Sequence, residues 1–285
     1  MANNYKAELV GVLGQPVAEN PTGIMQEAAF AACGLNWRYL TMEVPPERLQ
    51  DALTGVRALG MQGINLTIPH KVAVIPYLDG LSEEARLIGA VNTVRRDGNR
   101  LIGENTDGKG FLRGVKQDAG VDPKGKRVVM LGAGGAARAI ATELILAGVS
   151  QLIVVTRSVV RGEALVTHLV DGMKADVRFQ PWAGTYIVPS DADILVNATA
   201  IGLYPDVKAT PDISLAAAKS DLLVCDAVFN PPVTGLLALA KDRGMPVLDG
   251  LSMLVYQGVI GFEMWTGQKA PEAVMKEALA KELVG

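Results

Sequence analysis

The chain has 285 residues, 49% of them hydrophobic, and a formal net charge of −3. That length suggests about two domains with real cores, and a slightly acidic balance gives no reason to expect nucleic acid as a partner. Cys33 and Cys225 stand far apart in apolar stretches, the pattern of buried, reduced thiols in a cytoplasmic protein and not of a disulfide framework. Runs such as the one around Val154-Val155 are too short to span a bilayer. The opening residues Met1–Lys6 lack the apolar core of a signal peptide. No repeat or low-complexity tract is visible, so no membrane partner is expected.

In chain order, Glu8–Gly14 reads as a strand, and a loop, Gln15–Gly23, follows it. Ile24–Ala32 reads as a helix stopped at Gly34, Trp37–Val44 as a second strand, Glu47–Leu59 as a helix ending at Gly60, and Gly63–Leu66 as a third strand. Strands alternating with helices imply an α/β fold with a mostly parallel sheet covered on both faces. Ligands of such sheets bind at the carboxyl ends of strands. That directs attention to the loop after the third strand, Asn65-Leu66-Thr67-Ile68-Pro69-His70-Lys71, which holds an amide, a hydroxyl and an ammonium. Gly89-Ala90-Val91-Asn92-Thr93-Val94 opens a hairpin turned at Asp97-Gly98. Its return strand ends at Glu104-Asn105-Thr106-Asp107-Gly108. Asp107 suits a helix N-cap, and it equally suits a partner for a lysine at a strand end.

The helix from Gly108 to Gly120 leads to a polar turn, Val121–Lys126. Then Val128-Val129-Met130-Leu131 runs into Gly132-Ala133-Gly134-Gly135-Ala136-Ala137 and a helically spaced apolar run. Gly132, Gly134 and Ala137 fill the G-x-G-x-x-G/A pattern of a dinucleotide-binding (Rossmann) turn. Here the phosphates sit on a helix N-terminus, where free N–H groups and the dipole favour anions. The next strand, Leu152–Val155, ends in Thr156-Arg157-Ser158, with Arg161 one turn on. An NAD-specific fold places an acidic residue there. Cations and a hydroxyl suit a 2′-phosphate instead, so NADP is expected in preference to NAD. Further buried strands are expected at Ile194–Asn197, Leu222–Asp226 and Pro246–Leu248. Helices are expected at Thr234–Arg243, Leu251–Thr266 and from Pro271. His70 and His168 are expected at the surface without metal-ligand company, and no metal is expected.

The motifs Asn65-x-Thr67-x-Pro69-x-Lys71, Gly89-Ala90-Val91-Asn92-Thr93 and Asn105-Thr106-Asp107-Gly108 resemble those of shikimate dehydrogenases. So do Gly132-Ala133-Gly134-Gly135-Ala136, Asn197-Ala198-Thr199-x-x-Gly202 and Asp249-Gly250-Leu251-x-Met253-Leu254-Val255-x-Gln257. The resemblance thus covers essentially the whole chain in order. It implies two domains: residues 1–108 bind substrate, with 251–285 packing back onto them, and residues 109–250 form the NADP-binding Rossmann domain. It implies reversible hydride transfer interconverting shikimate and 3-dehydroshikimate, within aromatic amino acid biosynthesis, by a monomer or homodimer. Lys71 and Asp107 are then the catalytic residues. A free lysine holds its proton too tightly to be an efficient base at neutral pH, so the two are read as a hydrogen-bonded pair holding the substrate hydroxyl. Asn20, Thr22, Asn65, Thr67, Asn92 and Gln257 match polyol-binding positions. Gly132, Ala133, Gly134, Gly135, Ala136, Thr156, Arg157, Ser158, Arg161, Thr199 and Gly250 match cofactor-binding positions.

The chain also departs from the family. The loop after the first strand is usually Ser-x-Ser-Pro, whose hydroxyls hold the substrate carboxylate; here it is Asn20-Pro21-Thr22-Gly23. Thr156 and Ser158 replace an Asn and a Thr, Phe229 stands where Tyr is common, and Ser252 replaces a Gly. The substrate-side changes leave open a paralogue acting on quinate, aminoshikimate or another hydroxylated ring carboxylate. A ligand-sensing protein on the same fold is a further alternative. The retained Lys71 and Asp107 argue against it, since a binder needs no proton-transfer pair.

Overall fold

A computed structural model describes residues 5–284; Met1–Asn4, part of the stretch inspected above for a targeting signal, lie outside the described residues. Two compact units divide the chain. One comprises the residues up to Thr106 together with those from Gln257 onward, the other Asp107–Tyr256. No helix among the described residues is long and apolar enough to cross a membrane.

The first unit runs β1 (Glu8–Gly14), α1 (Thr22–Ala32), β2 (Trp37–Glu43), α2 (Leu49–Ala58), β3 (Gly63–Leu66), α3 (His70–Ala73), β4 (Gly80–Leu81), α4 (Glu83–Ile88), β5 (Thr93–Asp97) and β6 (Arg100–Glu104). Its sheet has the order β2-β1-β3-β5-β6-β4. β1 pairs parallel with β2 and β3, whereas β5 is antiparallel to both β3 and β6. The reversal comes from a two-residue turn. Asp97 pairs with Arg100, and Gly98 takes the positive φ that a tight hairpin needs. The amphipathic α2 lays Leu49, Leu53 and Val56 into a core with Leu13, Ile64, Leu66 and Val94. Each such side chain taken from water contributes about 1.5–3 kcal/mol.

The second unit runs α5 (Asp107–Gln117), β7 (Arg127–Leu131), α6 (Gly135–Leu146), β8 (Gln151–Thr156), α7 (Val159–Met173), β9 (Val177–Pro181), β10 (Tyr186–Ile187), β11 (Ile194–Asn197), β12 (Ile213–Ser214), β13 (Leu223–Asp226), α8 (Gly235–Asp242) and β14 (Val247–Leu248). Six of these strands make an all-parallel sheet, β14-β13-β11-β7-β8-β9. Both faces are buried, and successive residues alternate between two cores. Val128, Met130, Val154 and Val196 join Phe111 of α5, Ile140 of α6 and Leu165 of α7. Val129, Leu131, Val155 and Leu195 join Leu236 and Leu237 of α8. This is the doubly wound α/β architecture, and its strand order reverses between β7 and β11. α9 (Gly250–Thr266) begins in this unit and passes into the first at Gln257, and α10 (Glu272–Val284) ends the described chain. In the first unit Phe262 of α9 stacks on Phe30 of α1 with ring centroids 5.7 Å apart. Trp265 donates to the Val94 carbonyl at 3.0 Å.

Several elements differ from expectation. α1 starts two residues early, at Thr22, and α5 starts at Asp107 itself, which therefore occupies the first turn and is not an outside cap. The stretch after β3 is not all loop, because α3 forms there. β9, a short and largely exposed edge strand, went unanticipated. Cys225 is buried as expected, but Cys33, just past the end of α1, is only half-buried.

Candidate active site

In the first unit the polar residues of the family motifs converge at the ends of β3, β5 and β6. Asn65, the third residue of β3, is buried. Its Nδ2 donates to Thr93 Oγ1 at 2.9 Å and to the Asn92 carbonyl at 3.3 Å. Asn92 in turn holds Thr106. Its Nδ2 donates to Thr106 Oγ1 at 2.9 Å, and its Oδ1 accepts from Thr106 N–H at 2.7 Å. The Asn105 amide donates to the Ala90 carbonyl at 3.0 Å. The network extends across β1 to β2, where the buried Tyr39 donates its phenol proton to Asn65 Oδ1 at 2.8 Å. Burial pushes the phenol's pKa well up, and a hydrogen bond from the Thr22 hydroxyl opposes that rise. Thr22 N–H donates to Asn20 Oδ1 at 3.0 Å, so Asn20 closes the start of α1. Buried polar groups are costly unless paired, and a fully paired network holds a single arrangement.

Lys71 is positioned through its backbone. Its carbonyl accepts from Val91 N–H at 2.7 Å. The preceding residue, His70, is wholly buried, and its Nε2 lies 2.7 Å from the Val44 carbonyl. A carbonyl can only accept, so the proton is on Nε2. The expectation of a surface His70 is thereby overturned: its ring ties the turn bearing Lys71 to the residue after β2. His168 is half-buried on α7. Thr67 is half-buried. Its N–H donates to the Leu13 carbonyl at 3.0 Å, and its methyl lies where a side chain on Gly14 would have to go. Gln257 is buried on α9, next to Gly258. The Gly258 carbonyl accepts from Gln26 Nε2 at 2.8 Å, and the bare Cα leaves room for Met25. Asn65 and Asn92 thus share one network, and Thr22, Thr67, Lys71 and Gln257 lie on other elements of the same unit. Asp107 follows Thr106 directly in the chain and opens the second unit.

In the second unit the glycine turn lies at the switch point. Gly132 has φ +109, and a Cβ there would stand 2.8 Å from the Ala198 carbonyl and 3.0 Å from Thr199 of the loop after β11. Only glycine fits that conformation and that contact. Gly134 and Gly135 differ, because a Cβ on either would meet nothing within 4 Å. Gly134 caps α6 without any side-chain hydrogen bond. Open space beside an uncapped helix N-terminus fits a pyrophosphate, which these backbone N–H groups would hold. Ala133 and Ala136 flank it, half-buried.

At the end of β8, Thr156 is buried. Ser158 Oγ accepts from Arg161 N–H at 3.4 Å, starting α7, and Arg157 and Arg161 are exposed. Thr199 Oγ1 donates to Asn197 Oδ1 at 2.7 Å and accepts from Ile201 N–H at 3.1 Å. Asn197 Nδ2 donates to Asp226 Oδ1 at 2.9 Å. The same carboxylate accepts from Val228 N–H at 2.9 Å and Thr234 Oγ1 at 2.7 Å. Burial raises the pKa of Asp226 to about 6, against the pull of those three donors. Gly250 is buried where a side chain would strike the Val228 carbonyl, so packing explains that glycine. Ser252 donates to Asp118 Oδ2 at 2.6 Å, which ties α9 to the residue after α5. Asp226, Tyr39, Thr93 and Thr106 were not singled out from the sequence as site residues.

Comparison with known proteins bears on the same regions. The profile of the "Shikimate dehydrogenase substrate binding domain" matches residues 12–94. That of "Shikimate / quinate 5-dehydrogenase" matches 115–226, and that of the "Shikimate 5'-dehydrogenase C-terminal domain" matches 250–280. The chain belongs to the shikimate dehydrogenase family. The shikimate dehydrogenase (NADP(+)) of Methanopyrus kandleri is 43% identical over 280 residues, 98% of this chain and 97% of that protein. The shikimate 5-dehydrogenase of Thermus thermophilus, solved with NADP(H) and shikimate, is 37% identical with a TM-score of 0.83. That alignment covers 97% of this chain and 100% of that one. A ligand-free 5-ketofructose reductase of Gluconobacter sp. strain CHM43 is 44% identical with a TM-score of 0.94. Here the alignment covers 98% of this chain and 100% of that one.

Proposed function

We propose that the chain is an NADP-dependent oxidoreductase that interconverts a ring alcohol and its ketone, with shikimate and 3-dehydroshikimate as the pair its family membership supports. The observation that carries this reading is the pairing of an intact polar network around Asn65 and Asn92 with the uncapped start of α6 at the switch point. The bound nicotinamide supplies or takes the hydride. The remaining tasks fall to the chain's own residues. Lys71 and Asp107, in the roles their motifs carry in the family, move and hold the proton at the reacting hydroxyl. Asn65, Thr67, Asn92 and Gln257 orient the ring hydroxyls without charge, and such a site rejects analogues that lack a hydroxyl. The second unit holds the nucleotide, with Arg157, Ser158 and Arg161 toward a 2′-phosphate. Initial rates with NADP⁺ against shikimate and quinate, repeated with NAD⁺, test this. NADP-linked oxidation is expected, and absence of turnover with both nucleotides refutes it.

A second reading has a specific observation behind it. At the loop where the family holds a carboxylate with two serine hydroxyls, this chain has Asn20 and Thr22. The Asn20 Oδ1 and the Thr22 N–H are spent on each other. The 5-ketofructose reductase of similar fold acts, by its name, on a keto sugar without a carboxylate. A neutral polyhydroxy ketone is therefore the alternative substrate class.

A further inference from the structure

In the second unit the loop after β11 hangs on one side chain, and that side chain is moored to a buried carboxylate. Asn197 ends β11, Asp226 ends β13, and the two are register partners at the carboxyl edge of the sheet. Both are buried. Asn197 Oδ1 accepts from Thr199 N–H at 3.2 Å and from Thr199 Oγ1 at 2.7 Å, and its Nδ2 reaches the Ile201 carbonyl at 3.3 Å. These bonds shape the loop, but they lie within four residues and travel with it. The bond from Asn197 Nδ2 to Asp226 Oδ1, at 2.9 Å, spans 29 residues and ties the arrangement to the neighbouring strand. Asp226 is itself fixed by Val228 N–H at 2.9 Å and by Thr234 Oγ1 at 2.7 Å, and Thr234 caps α8.

The loop so held is the one that touches the glycine turn. A Cβ on Gly132 would stand 2.8 Å from the Ala198 carbonyl and 3.0 Å from Thr199 Cγ2. The Thr199 hydroxyl has given its proton to Asn197, so it has none to offer a ligand. What the loop contributes is its position. A buried carboxylate is costly, and an apolar residue often packs as well or better. An apolar residue cannot hold Asn197.

We propose that Asp226 is a positioning residue for the nucleotide: through Asn197 it holds the Thr199 loop in place against the glycine turn. The inference rests on the reading that the start of α6 and this loop hold NADP.

Equilibrium titration with NADPH tests it in the intact protein, in Asp226→Leu, in Asp226→Asn, in Asn197→Ala and in the Asp226→Leu/Asn197→Ala double variant. Asp226→Leu should weaken binding about tenfold. Asp226→Asn keeps an oxygen to accept from Asn197 and should restore the affinity to within about threefold of the intact protein. Asn197→Ala should weaken binding about as much as Asp226→Leu does. The double variant should bind little worse than either alone, because both changes act through one amide. If Asp226→Leu does not fold, Asn197→Ala decides: affinity equal to that of the intact protein overturns the proposal. Equal affinities for Asp226→Leu and Asp226→Asn, or additive losses in the double variant, overturn the role of Asp226 while the cofactor reading stands. An intact protein that does not bind NADPH overturns both.

Discussion

Asp226→Asn should remove a pH-dependent cost from the second unit. The native carboxyl titrates at about 6 against an ordinary value of 3.8. That difference of about two units corresponds to roughly 3 kcal/mol at 1.36 kcal/mol per unit. A carboxyl with a raised native pKa favours the folded state when protonated. Its contribution is therefore complete below the unfolded value of 3.8 and is lost as pH rises through about 6. Asparagine can keep the local bonds. Its Oδ1 accepts from Asn197 Nδ2 and Val228 N–H, and its Nδ2 donates to Thr234 Oγ1, which has a lone pair to spare. Urea unfolding of both proteins from pH 4 to pH 8 isolates the effect from every other carboxylate. The variant should gain on the parent steadily between about pH 4 and pH 6. The gain should level off near 3 kcal/mol, within about a factor of two. A difference between the two curves that does not vary with pH refutes the reasoning.

Gly134→Ala should weaken NADP⁺ binding about tenfold or more and change the melting temperature little. The added methyl meets nothing in the protein and occupies the space beside the start of α6; equilibrium binding and calorimetry measure the two effects. Lys71→Ala should lower kcat about 10²–10⁴-fold with NADP⁺ affinity kept, and unchanged turnover would remove Lys71 from the proton step. Arg157→Ala should raise KM for NADP⁺ about tenfold and leave that for NAD⁺ nearly unchanged, as initial rates with both nucleotides will show. His70→Phe keeps the ring volume and loses the tie to Val44. It should lower kcat more than it raises KM, and an unaltered kcat would show that the turn holds Lys71 without it.

What the sequence made legible, and what it hid, follows from the range of the interactions. The glycine turn, the hairpin and the alternating strands are local, and Gly132 and Gly98 were readable because backbone conformation demanded them. β7, β8 and β11 were readable as short continuous apolar runs, the pattern of strands buried on both faces. Tyr39 was hidden, because in sequence it is an aromatic residue in an ordinary strand. Its role exists only because β1 lies between β2 and β3, pairing Val10 with Tyr39 and Val12 with Asn65, so that a phenol reaches across one strand. His70 stood in a visible motif, yet nothing in Pro69-His70-Lys71 shows whether the ring turns inward. Gly250 looked like part of a cofactor motif, and only the neighbouring Val228 carbonyl reveals why it must be small. Asp226 read as the polar end of a buried strand. Its three donors come from residues 197, 228 and 234.

The first unit is discontinuous in the chain, and this sets an order of assembly during synthesis. The second unit, Asp107–Tyr256, is one unbroken stretch whose sheet and both cores can close as soon as it has emerged. The first unit cannot finish so early. Gln26 waits for the Gly258 carbonyl 232 residues downstream, Val94 waits for Trp265, and Phe30 waits for Phe262. Until then α1 keeps an apolar face without its covering helix, at the stage when growing chains are prone to aggregate. The second unit is thus expected to mature on the ribosome ahead of the first. A nascent chain arrested just before Gln257 would be expected to carry a formed glycine turn beside an unfinished first unit.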